Sequence, residues 1–223
     1  MAARDRALDY VKNRVLTGEF VGGELISEGE VASALGMSRT PVREAFLRLE
    51  ADGLLRLYPK RGALVVPVSP QEVRAVMEAR LVLEQFAASK VIRRGPAARK
   101  AAYERLSAEL KRQRQAGTAG HLREFLESDR VFHTITVEDA ENSILAGFYT
   151  SLRDRQMRMI GESAIRDPGR VTTIVKEHRN IAQAVRDGDV PRAIEAVKVH
   201  HTSTLRAVGI AIEPTSPFGD DIR

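Results

Sequence analysis

The chain has 223 residues, 43% hydrophobic and 29% charged, which suits two compact domains with a sizeable buried core. It has no cysteine, no apolar run long enough to span a membrane, and a charged start, Met1-Ala2-Ala3-Arg4-Asp5-Arg6, unlike a secretory signal. These features exclude disulfide and thiolate chemistry, give no membrane partner, and make the cytoplasm the expected compartment. The formal net charge of +5 does not itself indicate nucleic acid, because residues 1–67 hold ten Lys/Arg against nine Asp/Glu and residues 68–212 hold twenty-four against eighteen. The excess lies mostly in Lys90–Arg114, which reads as a solvated helix face.

Arg4–Thr17 carries Ala7, Leu8, Val11, Val15 and Leu16 at helical spacing, and Gly18–Gly23 is a loop. Ser27 and Glu30 form a capping box that opens a helix to Leu35, with Val31, Ala34 and Leu35 as its apolar stripe. Gly36-Met37 turns the chain into a second helix. Thr40 is the expected N-cap there and Pro41 the first helical residue, followed by an apolar face of Val42, Ala45, Phe46 and Leu49. Two short helices joined by a glycine-containing turn form a helix-turn-helix, whose second member enters the major groove with its N-terminal residues leading. Arg39 and Arg43 flank that end, and a guanidinium bonds guanine or phosphate bidentately. The same spacing also fits an ordinary helical hairpin with a solvated basic end.

Asp52-Gly53 ends the second helix, and Leu54–Tyr58 and Ala63–Val66 then read as two strands around a Pro59-Lys60-Arg61-Gly62 turn. A basic-tipped hairpin behind a helix-turn-helix is a wing, with Lys60 and Arg61 placed to reach a minor groove or a phosphate row.

These residues resemble the GntR family of bacterial winged-helix regulators. The likeness runs through Leu25-Ile26-Ser27-Glu28, Leu35 to Ala45, Leu49 to Leu54 and Arg61-Gly62-Ala63, about the first third of the chain. It implies that Ser38, Arg39, Thr40 and Arg43 contact double-stranded operator DNA, with Gly62 in the wing. One departure stands out. Many members carry an operator-holding arginine where this chain has Gly29.

Pro67-Val68-Ser69-Pro70 is a stiff linker, after which Ser69, Pro70 and Glu72 supply N-cap, N1 and N3 of the next helix. Helical periodicity then continues through Gln71–Arg94, Ala97–Ala116, His121–Glu138, Glu141–Arg166, Val171–Arg186 and Pro191–Ala207. Gly117-Thr118-Ala119-Gly120 is the expected stop of the second of these. The expected fold is therefore mostly α. A winged helix-turn-helix domain spans residues 1–67, an all-α bundle of about six helices spans 68–212, and a loose tail spans 213–223.

Asp129 and His133 lie four apart on one expected helix, and His178 and His200 fall on the last two. A carboxylate and three imidazoles facing one bundle interior suit a divalent first-row metal with positions open for water or a ligand, although histidines on helices are more often ordinary polar residues. Phe125-x-x-x-Asp129-x-x-x-His133, Glu177-His178-Arg179 with its sequel to Asp189, and Ala193–His200 resemble the ligand-binding domain of the FadR branch of GntR regulators. Six helices are closer to its VanR-type group than to the seven-helix type.

The resemblance implies that Asp129, His133, His178 and His200 bind zinc, nickel or manganese, which helps seat a small carboxylate effector. Arg80 is a candidate clamp for that carboxylate, or else the ion-pair partner of Glu84 one turn on. Asn142 is either pocket-lining or part of the next helix's N-cap region. His201 is expected in a second layer or at the surface, and His121 has no assigned role.

The expected function is a homodimeric transcriptional regulator, read as a repressor, whose operator binding a small carboxylate modulates. The alternatives are a metal-dependent hydrolase built on the Asp/His₃ site, and an architectural DNA-binding protein without an effector.

Overall fold

The computed structural model describes residues 2–150, 152, 169–212 and 217. The chain divides into two compact units, Met1–Ser69 and Pro70–Arg223.

The first unit holds α1 (Ala3–Leu16), β1 (Leu25–Ile26), α2 (Glu28–Leu35), α3 (Arg39–Ala51), β2 (Leu55–Tyr58) and β3 (Gly62–Val65). The sheet has the order β1-β3-β2 with both pairs antiparallel, so that Leu25 faces Leu64 and Leu57 faces Ala63. β1 is absent from the sequence reading because two residues are too few to show an alternating pattern. Ala7, Val11 and Val15 of α1 share one core with Val42, Ala45, Phe46 and Leu49 of α3 and with Leu55, Ala63 and Val65 of the sheet.

Local chemistry fixes the α2 end. The Glu30 N–H donates to Ser27 Oγ at 3.1 Å, and the Ser27 N–H donates to Glu30 Oε2 at 3.0 Å, completing the capping box. Gly36 closes the helix at φ 60°, in the left-handed region open to glycine. The buried stripe is Val31 and Ala32. Ala34, expected inside, is exposed, and Leu35 is half-buried, so the helix is turned slightly from its expected face.

The α3 start also differs from expectation. Ser38, with an extended backbone, is the N-cap and Arg39 the first helical residue, which puts Thr40 at N2 and Pro41 at N3 rather than N1. The shift is permitted because every first-turn N–H lacks an intrahelical acceptor, so proline sacrifices nothing at N3 either.

The second unit is helical throughout its described secondary structure. It comprises α4 (Pro70–Arg93), α5 (Pro96–Ala119), α6 (Leu122–Asp139), α7 (helical at 143–150 and 152), α8 (Gly169–Asp187) and α9 (Val190–Ala207). The expected Glu141–Arg166 helix beyond residue 152, and the expected tail apart from residue 217, lie outside the described residues. None of the described helices is long and apolar enough to cross a membrane.

Gly117 does not stop α5 as expected. The helix continues to Ala119, and Gly120 caps it at φ 71°. A Cβ on Gly117 would lie 2.4 Å from Val171 Cγ1, so this glycine lets α5 pack closely on α8. The basic run is not wholly solvated either. Arg94 and Arg105 hold the C-terminal end of α6 through Asp139, Glu138 and Glu141.

Gly62 is the tightest point of the first unit. Its φ is 101°, and an added Cβ would lie 2.3 Å from the Ile26 carbonyl oxygen and 3.3 Å from Ser27 Cα. Gly53, at φ 73°, has open space where its Cβ would stand. Gly62→Ala should therefore destabilise the first unit by about 3 kcal/mol or more, strain and collision together, whereas Gly53→Ala should cost about 1 kcal/mol of strain alone. Denaturant unfolding of the two variants measures the difference.

Candidate metal centre and DNA-reading surface

Ser38, Arg39, Thr40 and Arg43 are all exposed at the first turns of α3. Lys60 and Arg61 are exposed in the turn between β2 and β3, where Lys60 adopts φ 64°. Three other cations of this unit are paired, Arg4 with Asp5, Arg14 with Glu19 and Arg48 with Asp52, while Arg6 and Arg56 are exposed. Among the described residues, the side chains of Arg39, Arg43, Lys60 and Arg61 take no ion pair. The start of α3 and the wing turn thus leave exposed cations for an outside anion.

The bundle does the reverse and buries its polar groups. Asp129 and His133 of α6, His178 of α8 and His200 of α9 are each between 0% and 2% exposed. One potential ligand atom from each of His133, His178 and His200 lies within 4.8 Å of the others. His178 Nε2 stands 3.4 Å from His200 Nε2 and 3.7 Å from Asp129 Oδ1. Phe132 stacks on the His178 ring at 4.2 Å between centroids and holds its plane.

Each imidazole has an acceptor at its outer nitrogen. His133 Nδ1 lies 2.9 Å from Glu84 Oε2, His178 Nδ1 3.0 Å from Gln113 Oε1, and His200 Nδ1 2.9 Å from Glu177 Oε2. With the proton assigned to Nδ1, each ring turns an Nε2 lone pair inward, the tautomer a metal ligand needs. His133 Nε2 is buried with no hydrogen-bond partner among the described residues. Burial, reinforced by the neighbouring histidines, holds His178 well below the usual imidazole range. Burial also lowers His200, against the pull of Glu177. Two inward lone pairs 3.4 Å apart repel unless a cation stands between them, so this donor set fits a divalent metal.

Sequence reasoning missed most of the surroundings. Glu84 does pair with Arg80, Nε to Oε1 at 2.9 Å, but it also accepts from the Tyr149 hydroxyl at 2.8 Å, and His201 Nε2 lies 3.1 Å from its Oε2. One carboxylate thereby joins α4, α6, α7 and α9. Burial works against its charge, yet Arg80 and the two histidines hold its carboxyl well below the usual range. The same burial and the Glu84 charge push the Tyr149 hydroxyl up. His201 is fully buried, which removes the surface option, and burial takes it down to about 3. Arg170 of α8 bonds Glu177, Ser203 and Thr204, and so steadies the acceptor behind His200.

Two further candidates are now placed. Arg80 is 0% exposed, and its Nη2 has no hydrogen-bond partner among the described residues. Asn142 Oδ1 accepts from the Leu145 N–H at 3.2 Å, the bond of an N-cap to α7. His121 is exposed at the start of α6, 3.5 Å from Glu124, away from this cluster. Glu84 and Glu177, the carboxylates behind the imidazoles, are both committed to histidine and arginine donors, which pull their carboxyls below the usual range and make them weak bases with engaged oxygens, poorly suited as the general base of a hydrolase.

The comparisons with known proteins agree with this division. Residues 3–65 match the sequence model for bacterial regulatory proteins of the gntR family, and residues 75–203 match the FCD domain. An HTH-type transcriptional regulator from an unstable DNA locus of Streptomyces ambofaciens is 32% identical over 92% of this chain and 83% of its own. The HTH-type transcriptional repressor RspR of Escherichia coli is 29% identical over 82% and 78%. A GntR-type regulator structure from Rhodococcus sp. RHA1 shares the fold, with a TM-score of 0.77 at 18% identity, covering 95% of this chain and 100% of that one. With the two matches in order along its length, the chain belongs to the GntR family of bacterial transcriptional regulators, which bind DNA rather than catalyse, and carries an FCD domain.

Proposed function

We propose that this regulator binds a near-palindromic operator as a homodimer and represses from it, with a small carboxylate effector, seated beside a divalent metal in the bundle, altering operator affinity. The observation that carries the DNA half is the set of exposed cations Arg39, Arg43, Lys60 and Arg61, none engaged by a carboxylate of the described residues. Ser38 and Thr40 lie beside Arg39 and suit phosphate contacts, while Gly62 shapes the wing. Dimerisation supplies the second half-site, which one helix-turn-helix lacks. The relative named as a repressor supports the sign of regulation.

Asp129, His133, His178 and His200 would hold the metal, either zinc, nickel or manganese. Bound there, it supplies a Lewis-acid seat for a carboxylate oxygen. Arg80 Nη2 and Gln113 Nε2 are buried donors without a hydrogen-bond partner among the described residues, which supports an acceptor-bearing ligand. Asn142 contributes at most its amide N–H groups, since its oxygen caps α7. Effector binding then shifts the population of operator-competent dimers.

Three outcomes follow. Arg43→Ala should weaken operator binding about tenfold or more in a mobility-shift titration, with the melting temperature unchanged. Wild-type affinity in that variant would contradict the DNA reading. Elemental analysis should find one divalent metal per chain in the wild type and none in His178→Ala, and metal at about 100 times its Kd should add roughly 2.7 kcal/mol of stability to the wild type only.

The third concerns pH. His178, His200 and His201 take up protons less readily in the fold than in the unfolded chain, where they titrate near pH 6.5, so the unfolded chain binds more protons below that value. The metal-free protein should therefore keep its full histidine contribution above about pH 6.5 and lose stability progressively as the pH falls from there toward the folded His201 value of about 3. Denaturant unfolding across that range, with chelator present, measures the slope.

A further inference from the structure

Gly29 occupies the second position of α2, where the backbone is ordinary helix and nothing in its φ calls for glycine. Alanine is the better helix former at such a site. What would meet a side chain there is Arg39. A Cβ on Gly29 would lie 3.3 Å from Arg39 Nη2, 3.6 Å from Cζ and 3.7 Å from Nε. Three guanidinium atoms at nearly equal distance mean that the group lies flat across the first turn of α2. Arg39 nevertheless remains exposed, so one face of its fork rests on the protein and its N–H edges stay available.

The same turn is approached from a second direction. A Cβ on Gly62, at the base of the wing, would lie 3.3 Å from Cα of Ser27, the N-cap of α2. The first turn of α2 is thus the junction where the wing base and the leading arginine of α3 both rest. Both contacts depend on a missing side chain, at Gly62 for the wing and at Gly29 for the arginine.

We propose that Gly29 is a specificity-determining position. By leaving the first turn of α2 bare, it gives the Arg39 guanidinium a fixed seat and thereby sets which base edge or phosphate that arginine reaches. The inference rests on the DNA reading above, and it goes beyond it by assigning the aim of Arg39 to a residue with no side chain of its own. A methyl at position 29 is absorbed by moving the free end of Arg39, so the cost falls on its aim and the fold is spared. Stability and binding should therefore change in opposite senses, an outcome that a merely structural glycine would not give.

The test uses the full chain and a double-stranded DNA probe enriched by the wild-type protein from a random-sequence duplex pool. Affinities for that duplex are measured for wild type, Gly29→Ala, Arg39→Ala and the double variant, with melting temperatures alongside. Gly29→Ala should melt at or above the wild-type temperature yet bind about five- to tenfold more weakly, and in the Arg39→Ala background it should add less than about twofold. Repeating the enrichment with Gly29→Ala should return a different preferred duplex. Wild-type binding by Gly29→Ala while Arg39→Ala is impaired, or an equal loss in both backgrounds, overturns this proposal and leaves the DNA reading standing. Failure to enrich any duplex, or unimpaired binding by Arg39→Ala and Arg43→Ala alike, overturns the DNA reading and the proposal together.

Discussion

The bundle depends on keeping polar atoms satisfied where water cannot reach them. An imidazole, a carboxylate or a guanidinium buried without partners costs several kcal/mol, so a cluster of them persists only as a connected network. Glu84, Gln113 and Glu177 provide that connection by accepting at the outer nitrogens of His133, His178 and His200. The consequence reaches inward. Once the Nδ1 atoms are engaged, the Nε2 lone pairs face one another, and the geometry that satisfies the outside of the cluster leaves a place for a cation at its centre.

The two units handle charge in opposite ways, and the contrast separates their tasks. In the bundle, Arg80 and Arg170 are buried and each meets a carboxylate. In the winged unit, Arg39, Arg43, Lys60 and Arg61 are exposed and no described carboxylate meets them. A net charge of +5 conveys none of this, since the winged unit is almost neutral by count. Placement, rather than the total, makes an anion-binding surface.

What the sequence made legible was mostly local. The capping box at Ser27 and Glu30, the glycine at 36 and the spacing of Val42, Ala45, Phe46 and Leu49 are interactions within one turn or one face, so they can be read directly. The start of α3 was harder because Ser38 and Thr40 are both competent caps and proline is tolerated at either register. Gly117 was misread as a stop because its purpose is a close approach by Val171, more than fifty residues away. The inward face of α6 and the histidines of α8 and α9 were visible as candidates by spacing and by family likeness. Their acceptors were not. Glu84 showed itself only as the i+4 partner of Arg80, and its bonds to Tyr149, His133 and His201 arise from helices that meet only in the fold. Gln113 and Tyr149 carry no sequence signal at all. Glu177, although adjacent to His178, serves His200 instead.

The central claim is that a metal sits among the Nε2 atoms because their Nδ1 partners turn them inward. Anomalous scattering at the metal edge, from crystals of the protein grown with zinc, nickel or manganese, tests it most directly. The account predicts a single peak about 2.0–2.2 Å from Nε2 of His133, His178 and His200 and from one Asp129 oxygen. A metal bound through Nδ1, a peak elsewhere in the chain, or no peak under saturating metal would contradict it.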